Sequence, residues 1–133
     1  LYSKKNQINY DFSISELNFN GDREVNLKIK EKLNNYVLNK KNKTFRLRIS
    51  STSRKIIIAK DKAGDATNFK IEITVDIEVL NNDDLKSNFV IIESFDYNNN
   101  SDKFELKMYE TEIKNNLSNT VSNELKLKLS NIK

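Results

Sequence analysis

The stretch IIIAKDKAGDATNFKIEITVDIEVL, Ile56–Leu80, decides the fold. It holds Gly64, one of only two glycines in 133 residues. From Phe69 onward the pattern alternates without a fault. Phe69, Ile71, Ile73, Val75, Ile77 and Val79 fall on one side, and Lys70, Glu72, Thr74, Asp76 and Glu78 on the other. A period of two with one apolar side marks a strand half-buried against a core. Before the glycine, Ile56–Ile58 closes a second apolar run, and Asp61–Ala66 between the runs reads as a turn. Gly64 accepts the positive φ of a chain reversal at little steric cost. The stretch is therefore the tip and second limb of a long hairpin, with Lys60 and Lys62 at its end.

Phe45, Leu47 and Ile49 alternate along the first limb. The polar SSTSR at Ser50–Arg54 interrupts that phase and predicts a bulge or twist. On the far side, Asn81–Asp84 (NNDD) is another turn. Phe89–Tyr97 then reads as a strand that is central or covered on both faces, because its middle is apolar on both sides. Upstream, Ile8, Tyr10, Phe12 and Ile14 share one face of a short strand that NFNGD, Asn18–Asp22, ends.

Asp22 is placed to cap an amphipathic helix reaching about Leu38, with Val25, Ile29, Leu33 and Tyr36 on one face. Glu24 and Lys28 are spaced as an i,i+4 pair. Lys40 and Lys41 suit its C-terminus, which Asn39 or Asn42 can close. Asp102 and Glu105 form a capping box for a second helix running to about Ser130. Leu106, Tyr109, Ile113, Leu117 and Val121 make its stripe. Leu125 and Leu129 rotate off that stripe, since a spacing of four overshoots ~3.6 residues per turn, so this end should leave the sheet or find another surface. The expected fold is α+β: a two-layer sandwich in β-α-β-β-β-α order. Two helices pack on one face of a four-stranded, mainly antiparallel sheet. Residues 1–133 are expected to be one domain.

Charged residues make up 32% of the chain and apolar ones 37%, with a net charge of +4. That sign suits nucleic acid, an anionic membrane surface or an anionic lipid. The charges are interleaved, however, which is more often an ordinary solvated surface. There is no cysteine and no histidine, so disulfides, thiolate or imidazole catalysis and Cys/His zinc sites are excluded. No apolar run approaches the ~20 residues of a membrane-spanning helix. The opening residues contain no apolar core of a signal peptide, and the chain is read as a trimmed mature fragment.

Phosphate-binding and dinucleotide glycine motifs are absent. Carboxylates lie on hydrophilic strand faces rather than in apolar surroundings, so no catalytic residue, cofactor or metal is expected. Arg46, Arg48 and Arg54 share one side of the first hairpin limb. They are either a nucleic-acid row or, the favoured reading, cross-strand partners of the acids on the second limb. Arg54, Lys55, Lys60 and Lys62 are either edge protection or a basic finger for anionic groups.

These residues resemble a known family. NGDREVNLKIKEKL, Asn20–Leu33, is similar to the turn into the first helix of the lipopolysaccharide-assembly lipoprotein family LptE, partners of the outer-membrane barrel LptD. Arg48–Leu80 resembles that family's long central hairpin, with its AKD-like segment, glycine and Ala/Thr pair. Glu93–Leu129 resembles its last strand, loop and long final helix. The lipidated cysteine and the prolines of some members are missing.

The resemblance implies a lipid-anchored domain on the periplasmic side of the outer membrane, its signal peptide and lipidated cysteine lying outside this fragment. It implies a non-enzymatic subunit that plugs and helps assemble the barrel and binds lipopolysaccharide. Its partners would be an LptD-like barrel and lipopolysaccharide, without nucleic acid. By position relative to Gly64, Lys62 matches a family binding residue, and Lys103 corresponds to one in the loop before the last helix. With Lys60 and Arg54 of the hairpin they are the candidate lipopolysaccharide-binding residues. The alternatives are a basic α+β nucleic-acid-binding domain and another periplasmic envelope-associated domain.

Overall fold

The computed structural model describes residues 10–38 and 43–132. Its elements are β1 (Ser13–Gly21), α1 (Arg23–Leu38), β2 (Thr44–Lys60), β3 (Ala66–Asn81), β4 (Asp84–Asn98) and α2 (Lys103–Ser130). The strands lie in the order β1-β2-β3-β4, with β1 parallel to β2 and the other pairs antiparallel. The α+β fold, the element order and the meander are as expected. Inner-face residues Leu47, Ile49, Phe69, Ile71, Ile73, Val75, Ile77 and Val79 join Val25, Ile29 and Leu33 of α1 and Ile113, Val121 and Leu125 of α2 in one buried cluster. The outer face of β3, read from its sequence as hydrophilic, pairs across strands instead of packing. Arg48 reaches Glu78 at 3.5 Å and Arg54 reaches Glu72 at 2.8 Å, but Arg46, expected in the same row, pairs instead with Glu16 of β1 at 3.1 Å and with Asp83 of the next turn at 2.8 Å.

Four local expectations are corrected. The first strand does not end at Ile14; it runs to Gly21. Its register against β2 shifts between Ile14 and Glu16, after which Leu17 pairs with Leu47 and Phe19 with Ile49. That irregularity moves the apolar phase from even to odd positions, which a strict period of two mistakes for a strand end. Ile8 and Asn9 lie outside the described residues, as do Asn39, Lys40, Lys41 and Asn42 at the end of α1.

Second, β2 is unbroken across Ser50–Arg54, its register against β3 running continuously from Arg46 to Ile57. The shifts come later, at Ala59 and Lys60. Ser51 and Ser53 lie on the inner face, where the first turn of α1 docks. Ser51 Oγ donates to Asn26 Oδ1 at 2.7 Å and Ser53 Oγ to Asp22 Oδ2 at 2.7 Å. The lapse in apolarity is a docking place for a helix N-terminus.

Third, β4 is neither central nor covered on both faces. It starts at Asp84 and forms the sheet's edge. The turn before it holds Asn82 and Asp83 at φ 56° and 83°, the left-handed pair of a two-residue hairpin. Fourth, Glu24 meets Lys114 of α2 at 3.4 Å, and Lys28 lies 4.0 Å from Glu31.

The two aspartate N-caps are as read, but the capping box expected of Asp102 and Glu105 is not formed. Asp22 Oδ1 accepts from Val25 N at 3.0 Å, and Asp102 Oδ1 accepts from Phe104 N and Glu105 N. Asp102 N donates to Asn100 Oδ1 at 2.9 Å, the role a full capping box would give Glu105. Leu125 and Leu129 do not leave the core: both are fully buried in the same cluster as the rest of the stripe. Beside them Lys126 lies over the Tyr36 ring of α1 at 5.9 Å and Lys128 over the Phe89 ring of β4 at 5.4 Å, so this end of α2 keeps contact with both helix and sheet. Tyr109 is not in the buried stripe; it sits on its rim, edge-on to Tyr97 at 6.0 Å.

The two glycines serve different ends. Gly21 has φ +101°, and a Cβ there would lie 1.9 Å from the Ser51 carbonyl oxygen. Gly64 has φ +90° with nothing within 4 Å of such a Cβ. Gly21→Ala should therefore cost at least ~3 kcal/mol, from strain plus a backbone clash. Gly64→Ala should cost only about 1–2 kcal/mol, for conformation alone. Urea unfolding of both variants checks the ordering.

Candidate functional site

The hairpin β2–β3 overhangs the rest of the sheet. β1 accompanies β2 only as far as Ser51, and α1 begins beside that residue. Beyond it, Thr52–Lys60 has β3 on one side and, among the described residues, no strand on the other. At the tip the chain reverses through Asp61–Asp65. Asp61 Oδ1 accepts from Ala63 N and Asp65 N, both at 2.9 Å, while Asp61 N donates to Asp65 O and Gly64 N to Asp61 O. Asp61 thus organises the turn, and Lys60 and Lys62 extend from it into solvent.

The loop before α2 is tied to the base of this tip. Asn99 N donates to Thr67 O at 2.8 Å and Asn99 Nδ2 to Ala66 O at 2.9 Å. Asn68 Nδ2 donates to Asn98 Oδ1 at 2.6 Å. Lys103, the first residue of α2, is exposed at this same end. Lys60, Lys62 and Lys103 therefore share one end of the molecule. Arg54 does not join them: it lies on the face away from the helices, held by Glu72. Charges at the tip are mixed, since Asp61 and Asp65 bracket Lys62, and Asp102 and Glu105 flank Lys103.

Apolar side chains sit among the cations. Ile57 and Ile58 are 50% and 43% exposed, and Phe104 is 73% exposed. A shallow depression of about 740 Å³ nearby is lined by Asp96, Tyr97, Asn99, Asn100, Glu105 and Tyr109. Its two acids, Asp96 and Glu105, make it a poor seat for an anion. Among the described residues no three acids gather to hold a metal.

One polar cluster beside the tip was missed in the sequence. Lys55 lies 2.8 Å from Glu110 and 4.2 Å from the centre of the Phe69 ring. Tyr97 Oη donates to Glu110 Oε2 at 2.6 Å. Burial pushes the Glu110 carboxyl up, but hydrogen bonds from Lys55 and Tyr97 and the charges of Lys55 and Lys107 outweigh it and hold it below its usual value. Burial, and then the bond to Glu110 and its charge, raise the Tyr97 phenol. The available signal was Lys55's odd position, which puts it on the inner face. The cluster fastens the first turns of α2 to the hairpin limb.

Comparison with known proteins places the fold. No protein-family model matches the sequence, and no curated protein sequence does. Solved structures match well. A minor lipoprotein from Acinetobacter baumannii is similar with a TM-score of 0.64 at 11% identity, covering 87% of this chain and 90% of that one. The rare lipoprotein B from Shewanella oneidensis gives 0.56 at 15% identity, over 85% and 98%. Lipoprotein B from Nitrosomonas europaea gives 0.55 at 8% identity, over 93% and 87%. At these identities the likeness establishes a shared architecture along nearly the whole of each chain.

The linkage of Glu110 has a definite sign. A depressed carboxyl stabilises the fold above its unfolded value, near 4.5, and loses that contribution as pH falls through its lower folded value. Lys55→Ala should destabilise by about 1 kcal/mol at neutral pH, through loss of the ion pair and the ring contact. The gap to the parent should narrow below pH 4.5 to the part owed to the ring contact, which does not titrate, measured by thermal melts across that range.

Proposed function

We propose that this protein is a non-enzymatic subunit of lipopolysaccharide assembly, of the LptE kind. It is anchored by an N-terminal lipid at the periplasmic side of the outer membrane, seated in an LptD-like barrel, and binds lipopolysaccharide at its hairpin tip. The observation that carries the reading is the overhanging hairpin. Lys60 and Lys62 stand beside exposed Ile57 and Ile58, and Lys103 beside exposed Phe104. Cations next to bare apolar side chains suit an amphiphile that carries both phosphates and acyl chains. The shared architecture with bacterial lipoproteins supports the anchored location. A barrel lumen is polar, and the outer face of β2 and β3, with its Arg48–Glu78 and Arg54–Glu72 pairs, is polar to match.

The same rows count against the nucleic-acid alternative. Arginines already neutralised by acids offer a phosphate chain little, and binding driven by charge should be detectable at low salt. No RNA or DNA retention is expected there.

Reversing Lys60 and Lys62 together to Glu should weaken lipopolysaccharide binding at least fivefold, as expected for lost charge-assisted contacts worth ~1 kcal/mol or more. The melting temperature should not move, because neither side chain packs. Arg54→Glu should lower the melting temperature by stranding Glu72. Unchanged binding in the double variant would remove the tip from the proposal. Co-purification of the anchored protein with a large outer-membrane barrel tests the second half, and its absence would overturn that half.

A further inference from the structure

A second depression, of about 410 Å³, lies at the margin that β1 forms. β1 supplies one wall with Phe19 and the Asn20–Gly21 end. The first turns of α1 supply the other with Arg23, Asn26, Leu27 and Lys30. Gly21 pairs with Ser51, well back along β2 from Lys60. At ~3.3 Å per residue of strand, about 30 Å separates this place from the hairpin tip.

Helical spacing makes the arrangement. Arg23, Leu27 and Lys30 stand four and then three residues apart, which sets them in one stripe along α1. Leu27 lies off the face that Val25, Ile29 and Leu33 bury, and is 54% exposed. With half-buried Phe19 it gives the depression an apolar lining. Asn26 is only 8% exposed. Its Oδ1 accepts from Ser51 Oγ, and its Nδ2 donates one hydrogen to Asn20 O at 3.1 Å. The second Nδ2 hydrogen has no partner among the described residues.

The charge here is one-sided. No acid lines the depression, whereas Asp96 and Glu105 line the one beside the tip. The acids nearest in the chain are engaged elsewhere. Asp22 and Glu24 meet Lys114, and Glu31 lies 4.0 Å from Lys28. Arg23 and Lys30 are both exposed and, among the described residues, form no ion pair.

We propose that this depression binds a small anionic amphiphile. Arg23, Lys30 and the second hydrogen of Asn26 Nδ2 hold its carboxylate or phosphate head, and its apolar part lies against Leu27 and Phe19. The arginine fork matches two oxygens of such a head at once, and the buried amide is a donor already fixed in place. The volume is at the lower end of small-molecule sites, so it takes a short chain or the head region of a lipid. The proposal does not depend on the lipopolysaccharide reading. A ligand of this size is compatible with one copy seated in a barrel.

A fatty acid and a phospholipid share this chemistry and differ in the head. Amide NMR titrations with octanoate and with octyl phosphate therefore read both the site and the source, with octanol, octylamine and inorganic phosphate beside them. At least one of the two amphiphiles should bind with a Kd below about 1 mM. It should shift the amides of Asn20, Gly21, Asn26 and Leu27 and the Asn26 side chain, and leave those of Lys62 and Gly64 in place. The tighter of the two identifies the head group. Octanol and octylamine should not bind, and inorganic phosphate should bind about tenfold more weakly for want of apolar contact. Arg23→Gln with Lys30→Gln should weaken amphiphile binding about tenfold or more, and Leu27→Ser about fivefold. All three positions are exposed, and thermal melts confirm that the variants are folded. The proposal would be overturned by no binding of either amphiphile, by shifts confined to the tip, by octanol binding as tightly, or by inorganic phosphate binding as tightly. None of these outcomes bears on lipopolysaccharide binding at the tip.

Discussion

Asp22 is the joint on which this structure turns. Its backbone N–H donates to Ser51 O at 3.0 Å, holding the end of β1 against the middle of β2. One carboxylate oxygen caps α1 through Val25 N; the other accepts from Ser53 Oγ and from Lys114 Nζ of α2, at 2.7 and 3.0 Å. Two strands and two helices thus meet on one residue. Burial alone would raise its carboxyl, yet the bonds from Val25, Ser53 and Lys114, together with the Lys114 charge, hold it below its usual value. Gly21, just before it, lets the chain pass so close to Ser51 that a side chain would not fit.

The position of that joint shapes the rest of the molecule. Because α1 starts halfway along β2, it covers only the half of the sheet nearest β1. The remaining half of the hairpin has α2 alone above it. There the inner face of β2 turns from Leu47 and Ile49 to Ser53, Lys55 and the half-exposed Ile57. The Lys55–Glu110–Tyr97 cluster substitutes polar contacts for the missing helix. The overhang, and with it the basic and apolar tip, follows from where one aspartate stops a strand and begins a helix.

The two long faces of the sheet divide the work. The inner face makes a single apolar core with both helices. The outer face is held by cross-strand ion pairs that are exposed, so each contributes little to stability. Their value lies in keeping a broad surface polar and closed to indiscriminate contact. β4 departs from this plan. Its outer face is apolar where the neighbouring strands carry paired charge, and its margin is long and uncharged at the centre.

Much of this was legible in the sequence because local rules coincide with the fold. The alternation of Phe69–Val79, the glycine at the tip, the two aspartate caps and the acid–arginine rows each depend on residues close in the chain or directly opposite in a hairpin. Residue type and period carry such information unaided. Four things depended on contacts between distant segments. The irregularity near Ser15 reverses the phase of β1, and only its pairing with β2 reveals that. Ser51 and Ser53 look like a break until a helix N-terminus rests on them. Lys55 and Glu110 lie 55 residues apart, so no local pattern could join them. The apolar centre of β4 is equally consistent with a buried strand and with an open margin. Its place in the sheet is set by the order in which strands pair, a property of the whole chain and not of any stretch of it.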